Sequence, residues 1–206
     1  MRITALEPTK RGRIALFAEG EFLFSLAPEL CVTAGLKVGQ EVDVERLEQL
    51  RTEAELKKAK EKALQLLSRQ AYTAEQLRQK LSQRTDAQAA GQAVERMEQL
   101  GLVDDRAYAC QFARELAERK RFGPLRIRQE LGRRGISPEL IQQALEELEL
   151  DPEAAMREIL ERKYAAASED PAARRRAYGA LLRMGYRPAQ ARKALDEFCG
   201  DSFWED

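Results

Sequence analysis

Apolar residues near the N-terminus alternate with polar ones, which is typical of β-strands. Residues 2–6 form one candidate strand. Two further runs rich in aromatic and branched residues flank Glu19-Gly20-Glu21, a tight-turn signal that predicts a β-hairpin. Phe22, Phe24 and Leu26 alternate along its second strand, so we expect all three on one face, packed on the first helices.

From Val44 onward the apolar spacing becomes helical. Thr52 with Glu55 forms a capping-box signal, which predicts that a long helix opens there, and Thr73 with Gln76 repeats this signal. Later helix starts are marked by four residue–proline pairs: Gly123-Pro124, Ser137-Pro138, Asp151-Pro152 and Asp170-Pro171. Helix ends are marked by a glycine followed by an apolar residue: Gly101-Leu102, Gly135-Ile136 and Gly185-Tyr186.

The sequence also contains an internal repeat. A shift of 50 residues aligns two sets of apolar positions: Leu77 with Ile127 and Ala177, and Leu81 with Leu131 and Leu181. Each unit reads as a helix, a short helix, a turn and a third helix. The predicted fold class is therefore mainly α, with tandem three-helix repeats in an elongated curved array and a small N-terminal β-hairpin region.

The repeat and the change of pattern at Val44 suggest how the chain is divided. The expected divisions are a hairpin region at 1–43, a leading helix with the first repeat at 44–105, the second repeat at 106–150, the third at 151–200, and an acidic tail at 201–206.

Composition excludes several kinds of active site. The 206 residues include no histidine, which removes His-based triads and His-ligated zinc. The three cysteines stand far apart, and no phosphate-binding glycine loop is present. We therefore expect no enzymatic activity and no cofactor. Because no apolar signal segment or run of about 18 apolar residues occurs, we expect a cytoplasmic protein.

Charge is balanced overall, with 35 basic and 35 acidic side chains, but it is unevenly distributed. Arg126 and Arg133 match Arg176 and Arg183 at the 50-residue shift, and seven residues are nearly two helical turns, so each pair shares one helix face. Such faces could form a basic groove for phosphate or carboxylate partners, or they could simply be solvated. The candidate partner-binding residues are Arg69, Arg78, Lys120, Arg121, Arg126, Arg128, Arg133, Arg134, Arg176 and Arg183.

Other conspicuous side chains have simpler interpretations. Tyr72, Tyr108 and Phe122 could stack on bases, but packing at helix ends is the preferred interpretation. Asp104-Asp105 precedes a helical run and predicts an N-cap rather than a metal site. Trp204 is either a docking residue or a terminal packing residue, and the sequence does not decide between the two.

The string GLVDDRAYACQFARELAERKRFGPLRIRQELGRRGISPELIQQAL at 101–145 resembles the central signature of the RecX family, regulators of the RecA recombinase. Upstream, residues 63–69, Tyr72-Thr73 and residues 77–81 resemble that family's other recognisable block. The likeness covers about 59–198. This sequence departs from the family at Gln76, where Glu is common, and at Arg84-Thr85, which replaces a Lys-Gly turn; the hairpin region is present in only some members.

The resemblance implies a non-enzymatic modulator. RecX-like proteins bind the RecA filament on single-stranded DNA and mostly inhibit its assembly, ATP hydrolysis, strand exchange and co-protease activity. Direct contact with single- or double-stranded DNA is left open, and we expect a monomer. Two alternatives also remain open: a helix-turn-helix-like DNA-binding protein, and a generic helical-repeat scaffold for another protein.

Overall fold

A computed structural model of the chain describes residues 1–200. These residues form two compact units, Met1–Val103 and a second unit that begins at Asp104. The predicted acidic tail at 201–206, with Trp204, lies outside the described residues.

The first unit contains a small sheet and four helices. The strands are β1 (Ile3–Pro8), β2 (Ile14–Ala18) and β3 (Glu21–Leu26), and the helices are α1 (Pro28–Thr33), α2 (Val44–Leu67), α3 (Ala74–Ser82) and α4 (Ala87–Gln99). The sheet is antiparallel in the order β1-β2-β3, so the predicted hairpin is present as β2 and β3 and the candidate first strand pairs with β2.

One face of the sheet packs on α2, but the predicted position of Phe22 was wrong. Phe24 and Leu26 are buried in a core with Leu47 and Leu50 of α2, whereas Phe22 is 58% exposed. The register explains the difference, because Leu16 pairs with Phe24 while its neighbour Phe17 pairs with Phe22. The extra residue in β3 is a β-bulge, which interrupts the alternation of side chains between the two faces.

The predicted helix start at Thr52 was also wrong. Helix α2 is continuous from Val44, and the Thr52 hydroxyl donates a hydrogen bond to the Glu48 carbonyl at 2.9 Å within the helix. Leu47 and Leu50 pack under the sheet, whereas Ala59 and Ala63 pack against α3 and α4. One helix therefore serves both as the leading helix and as the first helix of the first repeat.

The second unit contains two further three-helix sets. The second repeat consists of α5 (Asp105–Lys120), α6 (Pro124–Gly132) and α7 (Pro138–Glu146). The third consists of α8 (Pro152–Lys163), a short 3-10 helix (Ala165–Ser168), α9 (Pro171–Arg183) and α10 (Pro188–Cys199). The helix starts predicted from the four proline pairs are all confirmed.

The internal repeat is confirmed by burial. All six aligned residues have no exposed surface: Leu77, Leu81, Ile127, Leu131, Ala177 and Leu181. Helices α4, α6 and α9 end two or three residues before the predicted glycines Gly101, Gly135 and Gly185. After α6 and α9, the N–H of the residue that follows the glycine donates to the carbonyl of the core leucine: Ile136 to Leu131 (3.3 Å) and Tyr186 to Leu181 (3.2 Å). The fold is mainly α, with tandem three-helix repeats and a small N-terminal sheet.

The second and third repeats are joined by backbone hydrogen bonds. The N–H groups of Gly123 and Leu125, at the start of α6, donate to the carbonyls of Met184 (2.7 Å) and Gly185 (3.2 Å), just after α9. These donors have no partner within their own helix because they belong to its first turn. The end of one repeat therefore caps a helix of the preceding one.

Candidate partner-binding surface

Three of the candidate arginines surround one carboxylate on α6 and the turn after it. Glu130 accepts from Arg126 at 2.8 Å and from Arg133 at 3.2 Å, and Arg134 lies 3.5 Å from its other oxygen. Arg134 also donates to the Glu130 carbonyl at 2.9 Å. The predicted shared face of Arg126 and Arg133 is thus present, and three guanidinium groups around a single carboxylate leave a local excess of positive charge.

Aromatic rings hold two of these arginines against the second repeat. The Arg134 guanidinium lies 3.9 Å from the centre of the Phe112 ring, and Arg126 lies 5.6 Å from that of Phe122. Phe112 and Phe122 pack on the core of the repeat, as does Tyr108. Cation–π contact with a ring that is itself fixed by packing limits where each guanidinium can move. Packing on the core of the repeat is therefore the observed arrangement of Tyr108 and Phe122.

The remaining candidates of the second repeat point elsewhere. Arg128 donates to the side-chain oxygen of Gln142 on α7 at 2.8 Å. Arg121 ends α5 in the left-handed conformation, with φ of 55°, and pairs with Glu158 of α8 at 2.8 Å. Lys120 is exposed and lies 5.9 Å from the centre of the Phe122 ring. Among the ion pairs of residues 1–200, none joins these three residues to Glu130, the carboxylate that Arg126, Arg133 and Arg134 share.

The third repeat does not reproduce the arginine cluster. Arg176 pairs with Asp170, the N-cap of α9, at 3.3 Å, and Arg183 extends over Gly179. The residue equivalent to Glu130 at the 50-residue shift is Ala180, so the third repeat lacks the carboxylate that joins the arginines of the second. The two side chains are exposed on α9, and within residues 1–200 no ion pair gives them a common partner.

Arg69 and Arg78 belong to the first unit. Arg69 is exposed just after α2, and Arg78 on α3 forms an ion pair with Glu75.

The predicted capping box of Thr73 and Gln76 at the start of α3 is confirmed, and Tyr72 packs on the core of the first repeat. Asp104 is confirmed as an N-cap, since its carboxylate accepts from the Ala107 N–H at 2.9 Å.

Sequence reasoning missed several basic residues near the end of α8. Arg162 shares Glu158 with Arg121, at 3.0 Å and 2.8 Å respectively, and Lys163 follows it. It also missed Arg174, which is 5% exposed and donates from Nε to the Ala167 carbonyl at 3.3 Å. A signal for Arg162 and Lys163 was present in the sequence. The first helix of the second repeat ends with Arg119-Lys120, and the first helix of the third repeat ends with Arg162-Lys163.

Three groups near this surface have shifted pKa values. Burial raises the pKa of Tyr186 to about 12, and its hydroxyl donates to the Arg121 carbonyl at 2.8 Å. Burial and the hydrogen bond to Glu147 raise the pKa of the Cys110 thiol. The pKa of Glu147 is lowered, first by its hydrogen bond with Arg106 and then by that with Cys110.

No group of three or more Cys, Asp or Glu side chains in residues 1–200 could hold a metal ion. None of the helices in that range combines the length and apolar character that a membrane-spanning segment needs. The arginines around Glu130 are cations held by ion pairs and ring contacts, an arrangement that suits recognition of acidic groups.

The fold defines a tandem three-helix repeat protein, and its relatives are regulatory proteins. The RecX first three-helix domain matches residues 59–97, and the RecX second three-helix domain matches residues 104–145. Regulatory protein RecX of Trichlorobacter lovleyi is 38% identical over 141 residues, 66% of this chain and 92% of that protein. That of Clostridium botulinum is 30% identical over 165 residues, 79% of this chain and 77% of that protein. The chain belongs to the RecX family.

Two solved structures show the same fold. The crystal structure of a regulatory protein RecX has a TM-score of 0.66 at 22% identity and covers 97% of this chain and 98% of that chain. RecX from Lactobacillus salivarius has a TM-score of 0.61 at 21% identity and covers 70% of this chain and 96% of that chain. The relatives are named as regulatory proteins, which is not an enzyme class.

Proposed function

We propose that this protein binds the RecA recombinase filament on single-stranded DNA and modulates it, mostly by inhibition. The affected steps are filament assembly, ATP hydrolysis, strand exchange and co-protease activity. Membership of the RecX family is the observation that carries the proposal, because the family's members are named as regulatory proteins. The proposed role implies action in the cytoplasm, and binding instead of substrate turnover.

We assign the principal contact to the arginines around Glu130, which we call the Glu130 cluster: Arg126, Arg133 and Arg134. Their charges exceed that of the carboxylate they share, and the Phe112 and Phe122 rings limit their movement. Pre-positioned guanidinium groups lose less conformational entropy on binding than freely rotating side chains do. An acidic surface of a protein subunit, or a phosphate exposed along the filament, would meet donors that are already oriented.

The other candidate arginines and Lys120 are proposed to contribute weaker contacts. Each repeat contributes exposed cations of its own, with Arg78, Arg128, Arg176 and Arg183 on the middle helices or at their ends. A repeat protein can bind a polymer through several such contacts, since both present similar units in succession. Direct contact with DNA remains part of this proposal as a second source of acidic groups.

The test measures ATP hydrolysis by RecA on single-stranded DNA with and without the purified protein. We expect inhibition by the wild-type protein, and strongly reduced inhibition by the double variant Arg126→Glu with Arg133→Glu. The control is Arg114→Glu with Arg157→Glu, which changes net charge equally at exposed positions outside the candidate set. Circular dichroism checks that all variants keep their helix content.

Two results would contradict the proposal in different ways. Unchanged hydrolysis at equimolar or higher wild-type protein would reject the function itself. Full inhibition by the Arg126→Glu, Arg133→Glu variant would reject the assigned surface. Repeating the measurement with the DNA added first, and separately measuring binding to DNA without RecA, shows whether phosphates or RecA supply the acidic partner.

A further inference from the structure

Strand β3 is an open edge of the N-terminal sheet. In the order β1-β2-β3 it is bonded to β2 on one side, and no strand of residues 1–200 pairs with its other side. The opposite edge is partly covered, because Ile3 in β1 exchanges backbone hydrogen bonds with the loop after α1. Its N–H donates to the Gln40 carbonyl at 2.9 Å, and its carbonyl accepts from the Gly39 N–H at 2.8 Å. The edge where the sheet can accept a further strand is therefore that of β3.

A groove with a volume of about 630 Å³ runs along this edge. Its lining includes four consecutive residues of β3, from Phe22 to Ser25, and its other walls belong to α2 and the start of α4. Successive side chains of a strand point to opposite faces, so a groove that contacts four in a row lies beside the strand and not over one face. Four residues of a strand extend over about 13 Å, which is the length available for pairing.

The charged side chains that line the groove have partners in its own walls. On α2, Lys58 pairs with Glu55 at 3.0 Å, and Arg51 lies 3.8 Å from Glu48. The Asp86 carboxylate caps α4 by accepting from two N–H groups of its first turn, at 2.8 Å and 3.2 Å. A charged ligand would meet groups whose charges are already compensated, so the groove is complementary to an uncharged ligand.

The other groups in the groove are apolar side chains and amides. The Phe22 ring is 58% exposed and contacts the Phe17 ring edge-on, with their centres 5.7 Å apart. Gln88 and Gln92 are exposed on α4 and share one face, since they are four residues apart. A side-chain amide both donates and accepts hydrogen bonds, as a backbone amide does. These groups match a polypeptide segment, whose outer backbone groups would meet the two glutamines while an apolar side chain would meet Phe22.

We propose that the β3 edge binds an extended, uncharged segment of a partner protein as a fourth strand of the sheet. Backbone hydrogen bonds to β3 provide the affinity, and an apolar side chain of the segment packs on Phe22. The strand Glu21–Leu26 contains neither proline nor lysine, two residues that commonly prevent such pairing. This site belongs to the first unit, and its test does not depend on the proposed function.

Two features limit the bound segment to about four residues. The bulge in β3 interrupts regular pairing, so a long added strand would lose its register there. The Ser25 carbonyl already accepts a hydrogen bond from the Arg13 guanidinium at 3.3 Å, so pairing is expected mainly at Phe22 to Phe24. A contact of this size forms a weak, transient complex.

The probe for the experiment is a phage-displayed library of random peptides, selected on the full protein. We expect enriched sequences with β-branched or aromatic side chains at alternate positions and few charges, since these residues favour strands. A synthetic peptide of an enriched sequence is then titrated with the protein and followed by fluorescence anisotropy. Hydrogen exchange of the β3 amides should slow by at least about tenfold when this peptide is bound, because they become hydrogen-bonded.

A matched pair of variants locates the binding site. Phe22→Lys and Val32→Lys both replace an exposed apolar residue of the first unit, and they change net charge equally, but Val32 lies outside the groove. Phe22→Lys should weaken binding of the synthetic peptide by at least about tenfold, because it removes the apolar contact and places a charge at the edge. Val32→Lys should leave the affinity unchanged. Urea unfolding checks that both variants are folded, and hydrogen exchange of the wild-type protein tests the site without any substitution.

Three results would overturn the inference. If selection enriches no peptide above the level of a blank surface, the edge does not accept a segment. Equal affinity of the peptide for Phe22→Lys and the wild type, or slowed exchange confined to other elements, would place the peptide elsewhere on the protein. Association of the wild-type protein with itself that Phe22→Lys abolishes would show that β3 pairs with a second copy of the chain.

Discussion

Gly123 and Gly185 meet backbone to backbone at the junction of the second and third repeats. A Cβ atom added at Gly123 would lie 2.5 Å from the Gly185 carbonyl oxygen, and one added at Gly185 would lie 2.3 Å from the Arg126 nitrogen. Both distances are shorter than any side chain tolerates, and the obstacles are backbone atoms that cannot rotate away. The approach allows the start of α6 to be capped by carbonyls from the turn after α9.

Substituting either glycine by alanine should therefore destabilise the second unit. We expect Gly185→Ala to lower the free energy of unfolding by about 3 kcal/mol, because it combines the clash with a left-handed backbone, φ 91°. Gly123→Ala should cost roughly 2 kcal/mol. Urea unfolding followed by circular dichroism measures both effects.

Gly132 supplies the control for this prediction. It ends α6, and within residues 1–200 nothing except its chain neighbours and its own helix backbone lies within 4 Å of the position of its added Cβ. Alanine there should be neutral or stabilise by up to about 1 kcal/mol, since alanine is the better helix former. Equal stability of the Gly123→Ala, Gly185→Ala and Gly132→Ala proteins would contradict the described junction.

Tyr186 should make stability depend on alkaline pH. Its pKa is raised by burial to about 12, so the folded state disfavours the phenolate that the unfolded chain forms at its ordinary pKa near 10. The contribution is fully present below pH 10 and is lost as the pH rises toward 12. Between pH 8 and pH 11 the wild-type protein should lose about 1 kcal/mol through this group.

The Tyr186→Phe variant isolates that contribution. At pH 7 it should be less stable by about 1 kcal/mol, because the hydrogen bond to the Arg121 carbonyl is lost. Its stability should fall less steeply above pH 10 than that of the wild type. In an ultraviolet titration, one of the five tyrosines of the wild-type protein should ionise late, and that step should be missing in the variant. Identical pH slopes for the two proteins would contradict the burial effect.

Much of the fold could be predicted from the sequence because its signals are local. The glycines that follow α4, α6 and α9 and the prolines that begin α6, α7, α8 and α9 specify backbone conformation over a few residues, whatever lies around them. The repeat was visible because equivalent core positions such as Leu81, Leu131 and Leu181 must all be apolar to fill equivalent cores.

The errors and omissions arise where distant residues decide the outcome. Thr52 resembles a helix cap in the sequence. The helix begins earlier, at Val44, because Leu47 and Leu50 are buried against the sheet. Phe22 follows the alternation in sequence, yet a bulge removes it from the packed face. For the candidate surface, the sequence indicated that Arg126 and Arg133 share a face, but not that Glu130 would hold them together with Arg134, since ion pairs depend on side-chain geometry.

Cys110 should react slowly with alkylating agents at neutral pH. Burial and Glu147 raise its pKa, and only the thiolate is nucleophilic. Glu147→Gln removes the charge beside the thiol, so iodoacetamide should modify Cys110 faster in this variant, as measured by mass spectrometry of digested protein. Cys31, whose pKa is raised by burial alone, is the internal reference and should react at an unchanged rate. A similar acceleration at both cysteines would indicate general loosening of the fold and contradict the local effect.

Glu130→Gln should strengthen the proposed interaction with RecA filaments. The substitution removes the carboxylate that partly neutralises Arg126, Arg133 and Arg134, and it keeps the shape of the side chain. We expect inhibition of RecA ATP hydrolysis at roughly three- to tenfold lower protein concentration, with a steeper dependence on salt. The control, Glu161→Gln, changes net charge equally at an exposed position on α8 and should leave the inhibition unchanged. If both variants inhibit alike, total charge governs the interaction and the Glu130 cluster has no special role.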